Sequence, residues 1–260
     1  VVLDPMTEKL TSYNLYYDLA NPSDADESYS MQMDSRGYLW MGTKDGLQVL
    51  KPESGLMRYS MAGNMGLASN NVRNVFIDRQ DRIWGGTDKG LQLFLPDEVR
   101  FVNAAELLPS LGGLDVYSIS ENRNGDLLVG PNRSLLKIPE DLSRAEGYEG
   151  IKRPNVYTRI STIRNIYEDR SEILWLASNT GLVKIDQKER KFQLINNMIP
   201  EWRGLSSNTV SSVFQDDNGD LWIGTDGNGL SYFPSGPGRP VNYFTGASRR
   251  SRRLANNQIH

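Results

Sequence analysis

The residue types that most often perform catalysis are scarce in this sequence. Its 260 residues include no cysteine and a single histidine, His260. Cysteine nucleophiles, thiolate metal sites and disulfides are therefore excluded. A Ser-His-Asp triad or a histidine metal cluster cannot be assembled within a folded core when the only histidine is the last residue. The sequence predicts no catalytic residue, no metal site and no cofactor in this chain.

Two short segments superficially resemble ligand loops, and we interpret both as turns. The segment from Gly224 to Gly229 is rich in glycine, but it lacks the lysine and the following helix of a phosphate-binding P-loop. Asp216, Asn218 and Asp220 have the alternate spacing that begins an EF-hand. Leucine stands where that calcium loop needs glycine, and no glutamate follows at its twelfth position.

Aromatic and cationic residues in the connecting segments are the candidates for ligand binding. A loop tryptophan beside an arginine suits stacking on a sugar ring, and a run of four arginines could pair with uronate or sulfate groups. The alternatives to ligand contact are a tryptophan that packs over its own loop and an arginine run that is simply solvated. The candidate ligand-binding residues are Trp202, Arg203, Tyr148, Arg249, Arg250, Arg252 and Arg253.

Composition limits the classes of protein that fit the sequence. Apolar residues make up 38% and charged residues 23%, so the chain can bury a core, and no apolar run reaches the length of a membrane helix. A net charge of −3 and a pI near 5.4 argue against a general nucleic-acid binder. We therefore expect no nucleic-acid partner.

The elements that carry these residues follow from a repeat marked by tryptophan. In each full copy, a tryptophan follows an aliphatic residue and comes six residues after an aspartate. The third copy is degenerate, with Asn122 for the aspartate and Pro131 for the threonine of the Gly-Thr pair. Successive marker positions are 44, 44, 47 and 47 residues apart, the length of a four-stranded propeller blade. The markers are Trp40, Trp84, Leu128, Trp175 and Trp222.

Within each copy the local signals indicate strands and tight turns. The segment before each aspartate alternates, and Asp-x-x-Gly then predicts a type I turn into a second strand. One such four-stranded meander would leave both faces of its sheet exposed to water. Stacked meanders should therefore bury the marker residues in a core between blades. We predict an all-β fold, a β-propeller of four-stranded antiparallel blades, across residues 1–260. The predicted blade cores lie near 29–59, 72–102, 116–157, 163–194 and 210–244.

The two ends of the sequence carry partial copies of the repeat. Residues 10–15 are typical of an outer blade strand without partners, so we predict that they close the ring on the last blade. The lead-in Leu-x-x-Asn-x-Val, found before the second and fifth units, recurs from residue 254 in a similar form. Residues 254–260 are therefore predicted to begin a sixth blade of a longer parent protein.

The pattern Asp-x-x-Gly-x-Leu-Trp-x-Gly-Thr-x-x-Gly-Leu, present over residues 29–244, resembles the two-component regulator propeller repeat. That resemblance implies the periplasmic sensor region of a hybrid two-component system in a glycan-degrading Gram-negative bacterium. In such systems two seven-bladed propellers are followed by a β-sandwich, a membrane helix, a histidine kinase and the later phosphorelay domains. It thus implies five blades of a ring of seven, a periplasmic location, an oligosaccharide ligand, the remaining propeller and sandwich domains as partners, and homodimerisation.

Two other functional classes stay open at the level of sequence. A propeller glycosidase or lyase needs only two suitably spaced carboxylates, which sequence cannot place. A protein-binding scaffold is the third class, because propellers host enzymes, scaffolds and receptors alike. Five blades with the angular step of a seven-bladed ring should form an open arc. We expect an unpaired apolar face on blade five, and a strand near Tyr13 that is displaced or disordered.

Overall fold

The structure is a computed structural model that describes residues 2–4, 9–11, 28–52, 54–61, 66–148, 161–186, 191–196, 204–235, 240–243 and 254. The described strands form five antiparallel sheets of four strands each, together with one separate pair. Two short 3-10 helices, Ala104–Glu106 and Pro109–Leu111, follow the second sheet. No helix in the described residues is long and apolar enough to cross a membrane. The predicted all-β propeller fold is confirmed.

Each four-stranded sheet is one blade, made of four consecutive strands of the chain. Blade 1 consists of β3 (Ser28–Met33), β4 (Leu39–Thr43), β5 (Gly46–Lys51) and β6 (Gly55–Tyr59). Blade 2 consists of β7 (Val72–Ile77), β8 (Ile83–Thr87), β9 (Gly90–Leu95) and β10 (Arg100–Asn103). Blade 3 consists of β11 (Val116–Glu121), β12 (Leu127–Pro131), β13 (Leu136–Ile138) and β14 (Glu146–Gly147).

The last two blades repeat the same order. Blade 4 consists of β15 (Ile163–Glu168), β16 (Ile173–Ser178), β17 (Gly181–Asp186) and β18 (Lys191–Ile195). Blade 5 consists of β19 (Val210–Gln215), β20 (Leu221–Thr225), β21 (Gly229–Phe233) and β22 (Val241–Tyr243). The predicted span of blade 3 reached residue 157, and residues 149–160 lie outside the described part of the chain.

The N-terminal strands pair with each other. β1 (Val2–Asp4) and β2 (Lys9–Thr11) form an antiparallel hairpin of their own. The segment predicted to close the ring, residues 10–15, overlaps this hairpin at its first two residues, and the rest, including Tyr13, lies outside the described residues. The closing strand and the sixth blade over residues 254–260 remain predictions, since Leu254 alone is described in the latter segment.

The repeat aspartate shapes the turn between the first two strands of a blade. In blade 1, Oδ1 of Asp34 accepts the backbone N–H groups of Arg36 and Tyr38 at 3.0 and 2.9 Å. Gly37 takes the left-handed conformation that closes the turn, with φ of +79°. Asp81 and Glu172 occupy that left-handed position in blades 2 and 4, at φ of 61° and 64°. The turn is therefore specified more by the carboxylate than by glycine.

The Gly-Thr-x-x-Gly-Leu part of the repeat makes the next tight turn. The hydroxyl of Thr43 donates to the carbonyl of Gly46 at 2.8 Å and accepts the N–H of Asp45 at 3.1 Å. Gly46 has φ of +118°, and a Cβ atom there would lie 2.2 Å from the carbonyl oxygen of Tyr59. Only glycine lets the outer strand approach so closely, which explains its place in the repeat.

The core lies between neighbouring blades. Each of four buried apolar clusters joins two consecutive blades, from blades 1 and 2 to blades 4 and 5. Trp40, Trp84 and Leu128 are at most 1% exposed, and Trp175 is 6% exposed. Trp222 differs from the predicted burial because it is only half-buried and packs on Tyr232 of its own blade. No described sheet follows blade 5 to cover it.

Within the described residues, the five blades follow one another in an arc that is open between blades 1 and 5. The first strands of consecutive blades contact one another, from β3 with β7 through β15 with β19, whereas β3 and β19 make no comparable contact in the described residues. Large apolar side chains are exposed on the first strands at both ends of this arc. They are Tyr29, Met31 and Met33 on blade 1 and Phe214 on blade 5.

Candidate functional site

One face of the arc carries the turns between the second and third strands together with the residues that lead into each first strand. We call it the loop face. The N–H of Asn179 donates to Thr162 and that of Asp226 donates to Thr209, at 3.3 and 3.0 Å. These bonds hold each turn beside the start of its own first strand. The turns shaped by the repeat aspartates lie at the other ends of the same strands, which we call the turn face.

A β-bulge lies at the loop-face end of every first strand. The pairing register between first and second strands shifts around the second residue of the first strand in all five blades. A bulge redirects its side chain and is common beside binding sites. The bulged residues line the inner side of the arc, and we call them the bulge row: Tyr29, Arg73, Tyr117, Arg164 and Ser211.

Two residues of this row, Arg73 and Tyr117, connect blades 2 and 3 together with the neighbouring Asp115. The guanidinium of Arg73 forms an ion pair with Asp115, the residue before the first strand of blade 3. Its Cζ also lies 4.2 Å from the centre of the Tyr117 ring, within cation–π range. The hydroxyl of Tyr117 donates to the second oxygen of Asp115 at 2.8 Å. Both carboxylate oxygens of Asp115 are thus engaged, and they fix the arginine and the tyrosine.

Arg164 continues the row from blade 4 towards blade 5. Its Nε donates to Oδ1 of Asn179 at 2.7 Å, which orients the guanidinium. Nη1 lies 3.8 Å from Oδ2 of Asp226, a loose ion pair across the blade junction. The side chains of Arg164 and Asp226 are each 35% exposed, so solvent and ligands can reach both.

The pKa of Tyr117 reflects the charges around it. Burial raises this pKa above the ordinary value of 10.0, and the hydrogen bond to Asp115 raises it further. The positive charges of Arg73 and Arg164 act in the opposite direction. The phenol therefore stays neutral near pH 7 and presents an aromatic ring beside the guanidinium of Arg73.

Of the candidate ligand residues predicted from the sequence, Tyr148 is the one that falls within the described part of the chain. Its N–H donates to the carbonyl of Leu135 at 2.8 Å, and it packs against the apolar cluster between blades 3 and 4. Burial raises its pKa to about 12. Its ligand contact remains a prediction. Those that lie outside the described residues are Trp202, Arg203, Arg249, Arg250, Arg252 and Arg253.

Sequence reasoning missed the bulge row, although a signal for it exists. The second residue of each first strand is an arginine or tyrosine in four blades of five, and a serine in the fifth. The residue two places later is apolar in every copy, as the repeat requires. Aligning the copies by their aspartates would have found this column. What sequence alone could not show is that a bulge lies at each of these residues and that Arg73 and Tyr117 touch across blades 2 and 3.

The turn face is closed by bonds between blades. Arg79 donates to the carbonyls of Asn122 and Arg123 at 2.6 and 2.8 Å. Arg170 donates to the carbonyl and to the carboxylate of Asp217 in blade 5, both at 2.9 Å. Arg123 donates to the carbonyl of Asp169 at 3.0 Å. These three arginines immediately follow the repeat aspartate or Asn122. They form an arginine ladder whose donors are used between neighbouring blades, which makes the loop face the better candidate for ligands.

A cavity of about 150 Å³ lies between blades 4 and 5, and its lining includes Gly219 of the turn shaped by Asp216. Its lining is mainly apolar and includes Trp175, Ile195 and Phe233. Carbohydrate sites need convergent polar groups beside their aromatic rings, so this cavity is better explained as packing space between blades. No group of three acidic or histidine side chains able to hold a metal ion occurs among the described residues.

The repeat is shared with known proteins. The profile of the two-component regulator propeller repeat matches residues 23–45, 66–89 and 204–227, which span the start of blades 1, 2 and 5. A protein named Histidine kinase P4, from Formosa agariphila, is 28% identical over 92% of this chain and 17% of its own length. Three segments of this β-propeller therefore match the two-component regulator propeller repeat, and the predicted resemblance is confirmed.

Solved structures share the fold. The extracellular domain described as that of a hybrid two component system from B. thetaiotaomicron superposes with a TM-score of 0.69 at 18% identity, covering 96% of this chain and 32% of that one. Virginiamycin B lyase from Staphylococcus aureus superposes with a TM-score of 0.58 at 15% identity, over 82% of this chain and 68% of the lyase. The chain spans about a third of the extracellular domain and a sixth of the kinase, so these likenesses establish the fold.

Proposed function

We propose that this chain is the ligand-sensing propeller of a hybrid two-component sensor kinase that acts in the periplasm and responds to an oligosaccharide. The kinase lies in parts of the parent beyond this chain, and the remaining propeller and sandwich domains and a second copy are its expected neighbours. Support comes from the repeat family, from the relative named a histidine kinase and from the extracellular domain that shares the fold.

The observation that carries the proposal is the sequence Arg73, Tyr117 and Arg164 along the bulge row, on first strands that contact one another on the loop face. An aromatic ring offers an apolar surface to the ring of a sugar, and flanking guanidinium groups donate to its oxygens. Such a site combines one apolar platform with a few oriented polar groups, as small-molecule sites do. Its side chains come from blades 2, 3 and 4, so a ligand held there senses the relative position of three blades.

The likeness to a lyase makes an enzyme the second candidate, and the site gives it less support. A glycosidase or lyase needs carboxylates or other titratable groups that are available to the substrate. Asp115 is held by Arg73 and Tyr117 through both oxygens, and Asp226 faces Arg164. Carboxylates that neutralise arginines position those arginines rather than take up protons. We therefore propose a binding function without turnover.

Isothermal titration calorimetry of the chain against a panel of oligosaccharides tests the proposal. Tyr117→Ala should weaken binding about tenfold or more, since aromatic stacking and the lost anchor for Arg73 together are worth more than about 1.4 kcal/mol. Tyr38→Ala is the matched control, because Tyr38 also contacts an arginine but lies on the turn face. An equal loss in both variants, or product release from any glycan, would refute the proposed function.

A further inference from the structure

We propose that the bulge row selects an acidic oligosaccharide, whose carboxylate or sulfate group binds Arg164 in place of Asp226 beside the Tyr117 platform. The inference rests on the proposed function for its glycan part. Its anion part stands on the contacts of two arginines, and it can be tested by itself.

Arg164 is oriented but incompletely paired. Asn179 fixes the guanidinium through Nε, and the carboxylate of Asp226 is 3.8 Å from Nη1, beyond the length of a hydrogen bond. Nη2 has no hydrogen-bond partner among the described residues. A planar guanidinium with both terminal nitrogens available matches the two oxygens of a carboxylate or sulfate. An oxyanion at this place gains two short charged bonds and displaces only a loose ion pair.

Arg73 supplies a second positive charge from the other side of the same tyrosine. Asp115 pairs with Nη1 of Arg73, while Nε and Nη2 have no hydrogen-bond partner within the described residues. The Tyr117 hydroxyl shares Asp115, so that carboxylate already serves two donors. Within the described residues, Arg73 and Arg164 therefore keep donors that neither Asp115 nor Asp226 accepts. A neutral sugar would leave those donors to water, whereas an acidic sugar would use them.

The ring of Tyr117 favours an anionic group that is part of a sugar over a free inorganic anion. Tyr117 lies between the two arginines in the order of the bulge row, and the guanidinium of Arg73 is stacked on its ring. A pyranose ring placed on the exposed side of this aromatic residue would bring its carboxylate or sulfate within reach of the guanidinium of Arg164. Free inorganic sulfate would gain the charged bonds without this apolar contact, and should bind more weakly than a charged oligosaccharide.

The first arm of the test uses inorganic sulfate at constant ionic strength and follows the Nε–H signals of arginine by NMR. The signal of Arg164 should shift saturably, and that of Arg73 should follow. Arg100 is the internal control, because it is paired with Glu98 on the outer strand of blade 2. A shift of the Arg164 signal no larger than that of Arg100 would overturn the anion site.

The second arm compares tetragalacturonate with its methyl ester, and a sulfated galactan tetrasaccharide with its desulfated form, by calorimetry. We expect at least one charged probe to bind about tenfold or more tightly than its neutral match, and the preferred pair tells uronate from sulfate. Equal binding of the charged and neutral forms refutes the selection of acidic sugars and leaves the proposed function standing. If sulfate binds at Arg164 but no oligosaccharide does, the glycan function fails and the anion site stands.

Three substitutions separate anion binding from a structural role. Arg164→Gln should weaken binding of the preferred probe about tenfold, and Arg164→Lys should restore part of it, since lysine keeps the charge without the bidentate geometry. Asp226→Asn should strengthen sulfate binding, because it removes the competing carboxylate. A residue with only a structural role would not give opposite signs in these variants. Weaker sulfate binding by Asp226→Asn would contradict the proposed exchange of partners.

Discussion

The indole N–H of Trp40 donates to Oδ2 of Asp34 at 3.0 Å, so that one carboxylate holds both the turn and the marker tryptophan of its blade. The same pair recurs in blades 2, 4 and 5 at 2.8 to 2.9 Å. In blade 3, Leu128 replaces the tryptophan and Asn122 replaces the aspartate. The amide of Asn122 still accepts two turn N–H groups through Oδ1, and its NH₂ donates to Asp126 instead.

The paired replacement in blade 3 has a chemical reason that can be tested in blade 4. Asp169 accepts the N–H groups of Ser171 and Ile173 through Oδ1 and the indole of Trp175 through Oδ2. In Asp169→Asn the amide can keep the turn only by placing its own NH₂ against the indole N–H. A buried donor facing a donor costs about 1 to 3 kcal/mol. We expect that loss in the free energy of unfolding, measured by urea denaturation.

Asp97→Asn is the control, because Asp97 is exposed on a hairpin of blade 2 and should change stability by less than about 0.5 kcal/mol. The double variant Asp169→Asn with Trp175→Leu copies blade 3 and removes the clashing donor. It should lose less stability than the sum of its two single variants. Strict additivity would show that the indole hydrogen bond does not link the two positions.

Asp34 should make the stability of blade 1 sensitive to acid. Burial opposes its ionisation, but hydrogen bonds from Trp40, Tyr38 and Arg36 outweigh this and lower its pKa below the ordinary 3.8. Because the folded pKa is depressed, the stabilisation is fully present above about pH 4 and is lost as the pH falls through the folded value. The difference in unfolding free energy between the wild type and Asp34→Asn should therefore be larger at pH 7 than at about pH 2. A difference that does not change with pH would contradict this assignment.

The arginine ladder on the turn face should stabilise neighbouring blades against unfolding separately. Arg79 spans the junction of blades 2 and 3 through two carbonyls of the next turn and lies 3.3 Å from a carboxylate oxygen of Glu121. Its side chain is half exposed, so solvent screening limits its value. Arg79→Ala should lower stability by about 1 kcal/mol, and hydrogen exchange should rise in the blade 3 turn. Arg58→Ala, a pair within blade 1, is the control and should leave that turn protected.

Positions fixed by the repeat could be predicted from sequence, and positions fixed by contacts between copies could not. The burial of Trp40 and Trp84 follows from period and strand alternation, because each copy must hide the same face. The second residue of each first strand does not follow the repeat in type, and its inward direction depends on a bulge that no spacing marks. Trp222 lies in the same repeat pattern as Trp40, yet it is less buried. The reason is that the neighbouring blade determines how much of the indole is covered.

The ends of the arc lead to the last prediction, that this chain associates with itself head to tail. At each internal junction the apolar residue in the middle of a first strand is covered by the preceding blade, as Val75 and Val213 are at 4% and 5% exposure. The equivalent Met31 of blade 1 is 62% exposed, and Phe214 is 58% exposed on the opposite face of blade 5. Met31 and Phe214 lie on the two faces that meet at an internal blade junction, and a contact between such faces in two molecules does not close on itself.

Light scattering of the isolated chain should therefore show a mass that grows with concentration. The double variant Met31→Lys with Phe214→Lys places like charges on both faces and should shift the chain towards monomer. Met61→Lys with Leu107→Lys adds the same charge at exposed apolar positions away from the terminal faces, and serves as the control. A monodisperse monomer for the wild-type chain, with Met31 protected from oxidation, would instead mean that the terminal blades are covered within one molecule.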